Sequence, residues 1–258
     1  MTLTPEYHDP TQLGSKVAGY ELPLLIGLDI DGVLSPLVDH ADDARLLDGI
    51  ADVLARLLAA DDVSVAAVSG RAVSSMRTFG LPPAMRLVGS HGMEEDGRPF
   101  ESLDDAERAR LDQLIELADA AAVAGGDGAW VEHKQASVAV HIREADETLG
   151  TAALSALAIA TQGINGTSTK AGSNVLELFT RHASKGSAVE RLRTESGSRT
   201  AMFVGDDLTD EEAFAALGEA DVSIKVGPAP TMAQFRLAAP EDVLEFLRAL
   251  ANCLCEPA

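Results

Sequence analysis

The chain has 258 residues, 46% of them hydrophobic, so it is long enough to bury a large core and too apolar for a disordered or low-complexity segment. Its 20 Lys and Arg stand against 41 Asp and Glu, a formal net charge of −21, and that field repels nucleic acid and anionic membrane surfaces. Two cysteines, Cys253 and Cys255, supply no disulfide framework. The first twenty residues lack a basic-then-apolar signal, and no apolar run reaches the roughly 20 residues that span a bilayer. The expectation is a soluble, cytoplasmic protein of one or two domains, with neither nucleic acid nor membrane as partner. The same field opposes a phosphorylated substrate unless a bound cation and a few Lys or Arg reverse it locally.

After a polar lead containing Pro5 and Pro10, the apolar run 22–28 stops abruptly at Asp29-Ile30-Asp31-Gly32, which reads as a buried strand followed by a loop. Leu46, Leu47, Ile50, Val53, Leu54, Leu57 and Leu58 recur at helical spacing, and a second apolar run, 63–68, ends in Ser69-Gly70-Arg71. Strand, helix, strand with polar strand ends predicts a parallel sheet, whose ligands sit beyond the carboxyl ends of its strands. A third run at 86–88 ends in Gly89-Ser90-His91-Gly92. The pattern then changes. An acidic, Ala-rich helical stretch, 104–122, leads through Gly125-Gly126-Asp127-Gly128 to extended segments at 130–134 and 137–141, close enough to pair as a hairpin. A helix over 144–161 and extended segments near 164–169 and 175–179 complete what reads as an inserted α+β domain. Beyond Lys185 the first pattern returns: a helix at 187–194, a strand at 200–204 ending in Gly205-Asp206-Asp207, a helix at 211–217, a strand at 222–226 and a last helix at 243–250. The expected fold is α/β, a doubly wound, mostly parallel sheet built from 1–98 and 183–258 and interrupted by a smaller domain at 99–182.

Asp29 and Asp31 at a strand end suit a nucleophile and a general acid/base on one loop, since a carboxylate attacks phosphorus while its neighbour protonates the leaving oxygen and then activates water. The plain alternative is turn chemistry, because Asp-Gly also occurs at Asp48-Gly49, Asp96-Gly97 and Asp127-Gly128. Gly205-Asp206-Asp207-Leu208-Thr209-Asp210 supplies hard oxygen ligands suited to Mg2+, although Thr209 with Glu212 also makes a capping box and acids favour a first helical turn. Ser69 with the N–H groups after it suits a phosphate oxygen or an ordinary turn. Lys185 stands where a following helix presents its positive end, or is simply solvated, and His91 either touches substrate or is an exposed loop residue. Met76, Met85 and Met93 read as packing residues, and the Cys-x-Cys at 253–255 lacks partner ligands for a soft metal.

In order, Asp-x-Asp-Gly after the first strand, Ser after the second, Lys before a helix and Gly-Asp-Asp-x-x-Asp after a later strand resemble the haloacid dehalogenase superfamily of phosphatases. The stretch between Ser69 and Lys185 resembles that superfamily's inserted cap of the α/β type. Longer strings are similar to the trehalose-6-phosphate phosphatase family: Asp29-Ile30-Asp31-Gly32-Val33-Leu34-Ser35-Pro36, Val68-Ser69-Gly70-Arg71, Gly89-Ser90-His91-Gly92-Met93-Glu94, Val131-Glu132-His133-Lys134 with Val138-Ala139-Val140-His141-Ile142-Arg143, Val175-Leu176-Glu177-Leu178, and Gly205-Asp206-Asp207-Leu208-Thr209-Asp210-Glu211-Glu212-Ala213-Phe214. The resemblance runs from about Leu24 to Phe214. The chain departs from the family's pattern at Val33, where Thr is usual, at His133, where Asp is common, at Ile142, where Tyr is common, and at Phe179-Thr180, where a basic residue and Pro often follow. None of these removes a catalytic group, and the cap departures bear on which sugar is bound.

The resemblance implies a Rossmann-like core with an α+β cap and Mg2+-dependent hydrolysis of trehalose 6-phosphate to trehalose and phosphate through an aspartyl-phosphate. Asp29 is then the nucleophile and Asp31 the general acid/base, while Ser69 and Lys185 hold the transferring phosphoryl oxygens. By the same resemblance, Mg2+ is held by Asp29, the backbone carbonyl of Asp31 and Asp206, with Asp207 and Asp210 as outer or secondary ligands. Arg71, His91 and Gly92 are carried over as substrate-binding, and Glu132, Lys134 and Glu177 of the cap as partners of sugar hydroxyls. A trehalose-6-phosphate synthase in the same pathway is the implied partner. The same motifs leave open a capped phosphatase for sucrose phosphate, mannosyl-phosphoglycerate or a hexose phosphate, and a phosphomutase. A non-catalytic sugar-phosphate sensor has less behind it, because Asp29, Asp31, Lys185 and Asp206 are all present.

Overall fold

The computed structural model describes residues 5–38, 43–98, 100, 102–182 and 184–255. Its strands are β1 (Leu24–Leu28), β2 (Val63–Val68), β3 (Arg86–Gly89), β4 (Glu94–Glu95), β5 (Trp130–His133), β6 (Ser137–His141), β7 (Ser168–Gly172), β8 (Val175–Phe179), β9 (Thr200–Gly205), β10 (Val222–Val226) and β11 (Phe235–Leu237). Its helices are α1 (Pro10–Val17), α2 (Ile50–Leu58), α3 (Val73–Met76), α4 (Asp105–Gly125), α5 (Glu147–Thr161), α6 (Lys185–Ser196), α7 (Glu211–Ala216) and α8 (Pro240–Cys255). They divide into two compact units, Met1–Phe100 with Ser184–Ala258, and Glu101–Ala183. Among the described residues no helix is long and apolar enough to cross a membrane.

The first unit holds a seven-stranded sheet in the order β11-β10-β9-β1-β2-β3-β4, parallel except for the short β3–β4 pair. Strands covered on both faces are buried at every position, and β1 accordingly reads as an unbroken apolar run, whereas β10 is buried throughout although its sequence alternates, Val-Ser-Ile-Lys-Val. The pleat still sorts them. Leu24, Ile26 and Leu28 pack with Leu54 and Leu57 of α2 and Phe246 and Leu250 of α8, whereas Leu25 belongs to the opposite layer with Leu192, Phe203 and Phe214. Leu24 lies opposite both Val63 and Thr200, so β9, β1 and β2 run side by side in one direction. Whatever follows Leu28, Val68 and Gly205 therefore emerges at one edge of the sheet.

The second unit is built from consecutive residues as four antiparallel strands in the order β5-β6-β8-β7. Val138, Val140, Leu176 and Leu178 pack with Leu114, Ala118 and Leu157 of α4 and α5. The alternate positions Trp130, Glu132, Ser137, His141 and Glu177 share the other face.

Several elements differ from the sequence expectation. The polar lead contains α1, begun by Asp9, whose side chain accepts from Gln12 N (2.8 Å), with Pro10 in the first turn where no N–H is needed. The helical spacing from Leu46 starts too early: Gly49, at φ 93°, opens α2, and Leu46 and Leu47 reach the core from the preceding loop. The extended segment expected at 164–169 lies at β7 instead. Ile164 turns off the end of α5 into the core, and Ser168–Gly172 is a polar edge strand returned to β8 by Ser173-Asn174, with Asn174 at φ 61°. α8 extends past both expected ends, and the short β4 and β11 were not foreseen.

An ionic cluster joins β3, β4 and α6: Arg86 and Arg191 donate to Glu95, while Arg86 and Arg98 donate to Glu195. Burial alone would raise the Glu95 carboxyl, but hydrogen bonds from Arg86 and Arg191 outweigh it and hold the group below its ordinary 4.5. A depressed carboxylate stabilises the fold above its unfolded-state pKa and ceases to do so as pH falls through its folded-state one. Thermal melts between about pH 6 and about pH 3 are expected to show a smaller acid-induced fall in Tm for Glu95→Gln than for the wild type, from a lower starting Tm. Parallel curves would remove Glu95 from the acid response.

Candidate active site

Asp29 follows β1 directly. Its N–H continues the sheet to Val204 O (3.0 Å), and its Oδ1 accepts from Ile30 N (2.7 Å), which pins the carboxylate at the strand end. Gly32, at φ 70°, then turns the chain, and a Cβ there would lie 2.2 Å from Asp206 Oδ2. Only glycine satisfies both the backbone and the approach of the Asp206 loop.

Ser184 begins α6 by accepting from Gly186 N (3.1 Å), which makes Lys185 the first helical residue rather than one ahead of a helix at 187. The Lys185 ammonium is buried and donates to Asp29 Oδ2 (2.5 Å) and Asp210 Oδ1 (2.7 Å). The other Asp210 oxygen accepts from the N–H of Asp206 and of Asp207, each at 2.9 Å. One hydrogen-bonded chain thus runs from the first strand end through α6 to the loop after β9. Burial, opposed by Lys185 and reinforced by Asp210, pushes the Asp29 carboxyl up to about 7. Burial with the neighbouring charges of Asp29 and Asp210 pushes Asp206 up to about 8. Burial disfavours the Lys185 charge, but Asp210 and Asp29 outweigh it and its pKa is raised.

Asp29, Asp206 and Asp210 bring carboxylate oxygens within 4.8 Å of one another. Three carboxylates against the one ammonium bonded among them leave a formal charge of −2, and hard oxygen donors so spaced suit a divalent cation such as Mg2+. The donor set therefore fits the metal that the motifs imply. Asp207 lies outside this cluster; it is exposed and forms a capping box with Asp210, in place of the Thr209–Glu212 box expected.

At the next strand end Arg71 grips Asp31 bidentately, Nε to Oδ2 at 2.6 Å and Nη2 to Oδ1 at 2.7 Å. Ser69 is buried; its Oγ accepts from Arg71 N (3.3 Å) and its carbonyl from His91 N (3.0 Å). Ser90, His91 and Gly92 have φ of 49°, 54° and 106°, a left-handed run that costs about 1–3 kcal/mol at each non-glycine position. Glu94 holds it, accepting from Ser90 Oγ (2.7 Å) and, on its other oxygen, from Val73 N (3.1 Å). Asp29, Asp31, Ser69, Arg71, His91, Gly92, Lys185, Asp206 and Asp207 thus belong to the first unit, and Glu132, Lys134 and Glu177 to the second. There, Lys134 Nζ (2.9 Å) and Ser137 Oγ (2.7 Å) both donate to Glu177 Oε1, and Glu132 Oε2 pairs with His141 Nε2 at 3.0 Å.

Lys225, one of the chain's five lysines, has no role in the sequence expectation. It is buried in β10, and its ammonium donates to the carbonyls of Asp206 and Asp207, the latter at 3.4 Å, so it supports the acidic loop from the neighbouring strand. Val222-Ser223-Ile224-Lys225-Val226 alternates apolar and polar residues, which reads as a half-exposed strand, so only the burial of β10 between its neighbours shows that the lysine points inward.

The fold, a mostly parallel α/β sheet interrupted by an α+β unit, is that of the haloacid dehalogenase phosphatases, shared with one from Bacteroides thetaiotaomicron at a TM-score of 0.61 and 15% identity over 91% of this chain and 96% of that one. Residues 27–241 match the family described as trehalose-phosphatase, and the chain belongs to that family. It is 31% identical over 264 residues to the trehalose-6-phosphate phosphatase of Escherichia coli, covering 98% of this chain and 91% of that protein. It is 37% identical over 250 residues to a Mycobacterium tuberculosis protein described as an uncharacterized glycosyl hydrolase, which matches 89% of this chain while the chain spans only 18% of that relative's length. The Candida albicans trehalose-6-phosphate phosphatase C-terminal domain shares the fold with a TM-score of 0.80 at 21% identity, over 96% of this chain and 99% of that one.

Replacing Lys185 by Met leaves buried carboxylates without their cation. Urea unfolding of Lys185→Met is expected to show a stability loss of about 3–5 kcal/mol, as a lower midpoint at unchanged slope. An unchanged midpoint would show that the ammonium contributes nothing to the fold.

Proposed function

We propose that this protein is a Mg2+-dependent phosphatase that hydrolyses trehalose 6-phosphate to trehalose and phosphate through an aspartyl-phosphate on Asp29. The observation that carries the reading is the buried Asp29–Lys185–Asp210 chain beside Asp206, at the carboxyl edge of β1 and β9, in a member of the trehalose-phosphatase family. One Asp29 oxygen accepts from Ile30 N and the other from Lys185 Nζ, and each has a second lone pair with which to attack phosphorus. Asp31 gives a proton to the departing sugar oxygen and later takes one from the hydrolytic water, and its pair with Arg71 aims the carboxylate. Ser69, Arg71 and Lys185 hold the phosphoryl oxygens, with His91 and Gly92 shaping the adjoining loop. Asp29, Asp206 and the Asp31 carbonyl would hold Mg2+, with Asp207 and Asp210 as outer or secondary ligands, and the ion would neutralise charge on the transferring oxygens. The second unit serves as the cap, where Glu132, Lys134 and Glu177 pair sugar hydroxyls. A trehalose-6-phosphate synthase supplies the substrate in the cytoplasm.

Phosphate release from trehalose 6-phosphate, sucrose 6-phosphate, glucose 6-phosphate and mannosyl-phosphoglycerate, each with and without Mg2+, tests this reading. The expected result is Mg2+-dependent release with trehalose 6-phosphate preferred, and turnover lowered by at least roughly 10⁴-fold in Asp29→Asn. Glu132→Ala and Glu177→Ala are expected to weaken use of the disaccharide phosphate mainly through KM. Preference for another phosphate overturns the substrate assignment, release without metal overturns the cofactor, and near-normal turnover in Asp29→Asn overturns the nucleophile.

A further inference from the structure

The polar face of the second-unit sheet carries an aromatic ring that the hydroxyl-pairing row does not account for. Trp130, the only tryptophan of the chain, stays 51% exposed at the start of β5. A tryptophan in a core would bury about 150–250 Å², so this one forgoes much of its usual contribution to folding. It sits opposite His141 in the β5–β6 register, and the two rings stack with centroids 4.1 Å apart and planes 9° from parallel. His141 is in turn anchored by Glu132, Nε2 to Oε2 at 3.0 Å. The indole is therefore backed on one face by a fixed imidazole, and its exposed half remains available. Trp130 and Glu132, two positions apart on one strand, project from the same side of the sheet about 6–7 Å apart. Beyond them Lys134 and Ser137 converge on Glu177. An apolar plate beside a row of carboxylate, ammonium and hydroxyl groups matches a pyranose ring, which has a face of C–H groups and a rim of hydroxyls that both donate and accept.

We propose that Trp130 is a specificity-determining residue whose open indole face stacks on a pyranose ring of the substrate, while Glu132, oriented by His141, accepts from hydroxyls of that ring. The proposal rests on the sugar-phosphate reading above and adds to it an uncharged contact. The stacked ring does not change charge during phosphoryl transfer, so the contact contributes equally before and during the reaction and belongs in KM rather than kcat.

Because Trp130 is the sole tryptophan, its emission reports on that ring alone. In Asp29→Asn protein, its folding checked by circular dichroism, titration with trehalose 6-phosphate is expected to change the emission saturably, with a midpoint equal to the calorimetric Kd, whereas inorganic phosphate changes nothing. In the otherwise unaltered enzyme, Trp130→Ala is expected to lower kcat/KM about tenfold, almost wholly through KM, and Trp130→Phe to recover part of that loss. Calorimetric binding of the sugar phosphate with silent emission overturns the proposal, as does Trp130→Ala with an unchanged KM. No calorimetric binding at all overturns the sugar-phosphate reading, and the stacking proposal with it.

Discussion

The ammonium of Lys185 lies buried between Asp29 and Asp210, and the arrangement of the strand-end loops depends on it. Two like charges at 4 Å repel by about 4 kcal/mol even at an effective dielectric constant near 20, so a cluster of Asp29, Asp206 and Asp210 holds together only around a cation. Lys185 supplies part of that charge permanently. Burial first, and the neighbouring carboxylates after it, push Asp29 and Asp206 upward against the pull of Lys185. A strongly acidic chain thereby keeps one place where added positive charge, from a metal ion, is strongly favoured.

Sheet topology brings these groups together. β9, β1 and β2 are parallel neighbours, so three loops distant in sequence leave the sheet at one edge, each beginning where an apolar strand stops. The loops are then held by fixed polar contacts: Asp210 on two backbone N–H groups, Lys225 on two carbonyls, and Glu94 on Ser90 and Val73. The second unit has a different character, with one sheet face given to its core and the other to a row of polar side chains and a stacked aromatic pair.

Asp29, Asp31, Ser69 and Asp206 are legible in the sequence because each follows an abrupt end of an apolar run, where a buried strand meets solvent. The hub role of Asp210 and the support from Lys225 are not legible, because each depends on a neighbour that the fold brings from elsewhere: Lys185, 25 residues from Asp210, and the Asp206 carbonyl, 19 residues from Lys225. β7 escaped for a related reason. Ser-Thr-Lys-Ala-Gly has no apolar period, and its extended form comes from pairing with β8 rather than from local preference. Asp9-Pro10, in contrast, is a local helix start that the polar lead concealed.

The first unit is discontinuous along the chain, and Asp29 and Lys185 stand 156 residues apart. During synthesis from the amino terminus, the second unit is complete, with hairpins between neighbouring strands, before the ribosome has added Lys185. β1 meanwhile waits for β9 as its partner, and Asp29 for its ammonium. A nascent chain, or one cut short ahead of α6, carries the carboxylate without the group that positions it. The buried Asp29–Lys185–Asp210 chain thus comes into being only in a chain whose translation has passed well beyond the insertion.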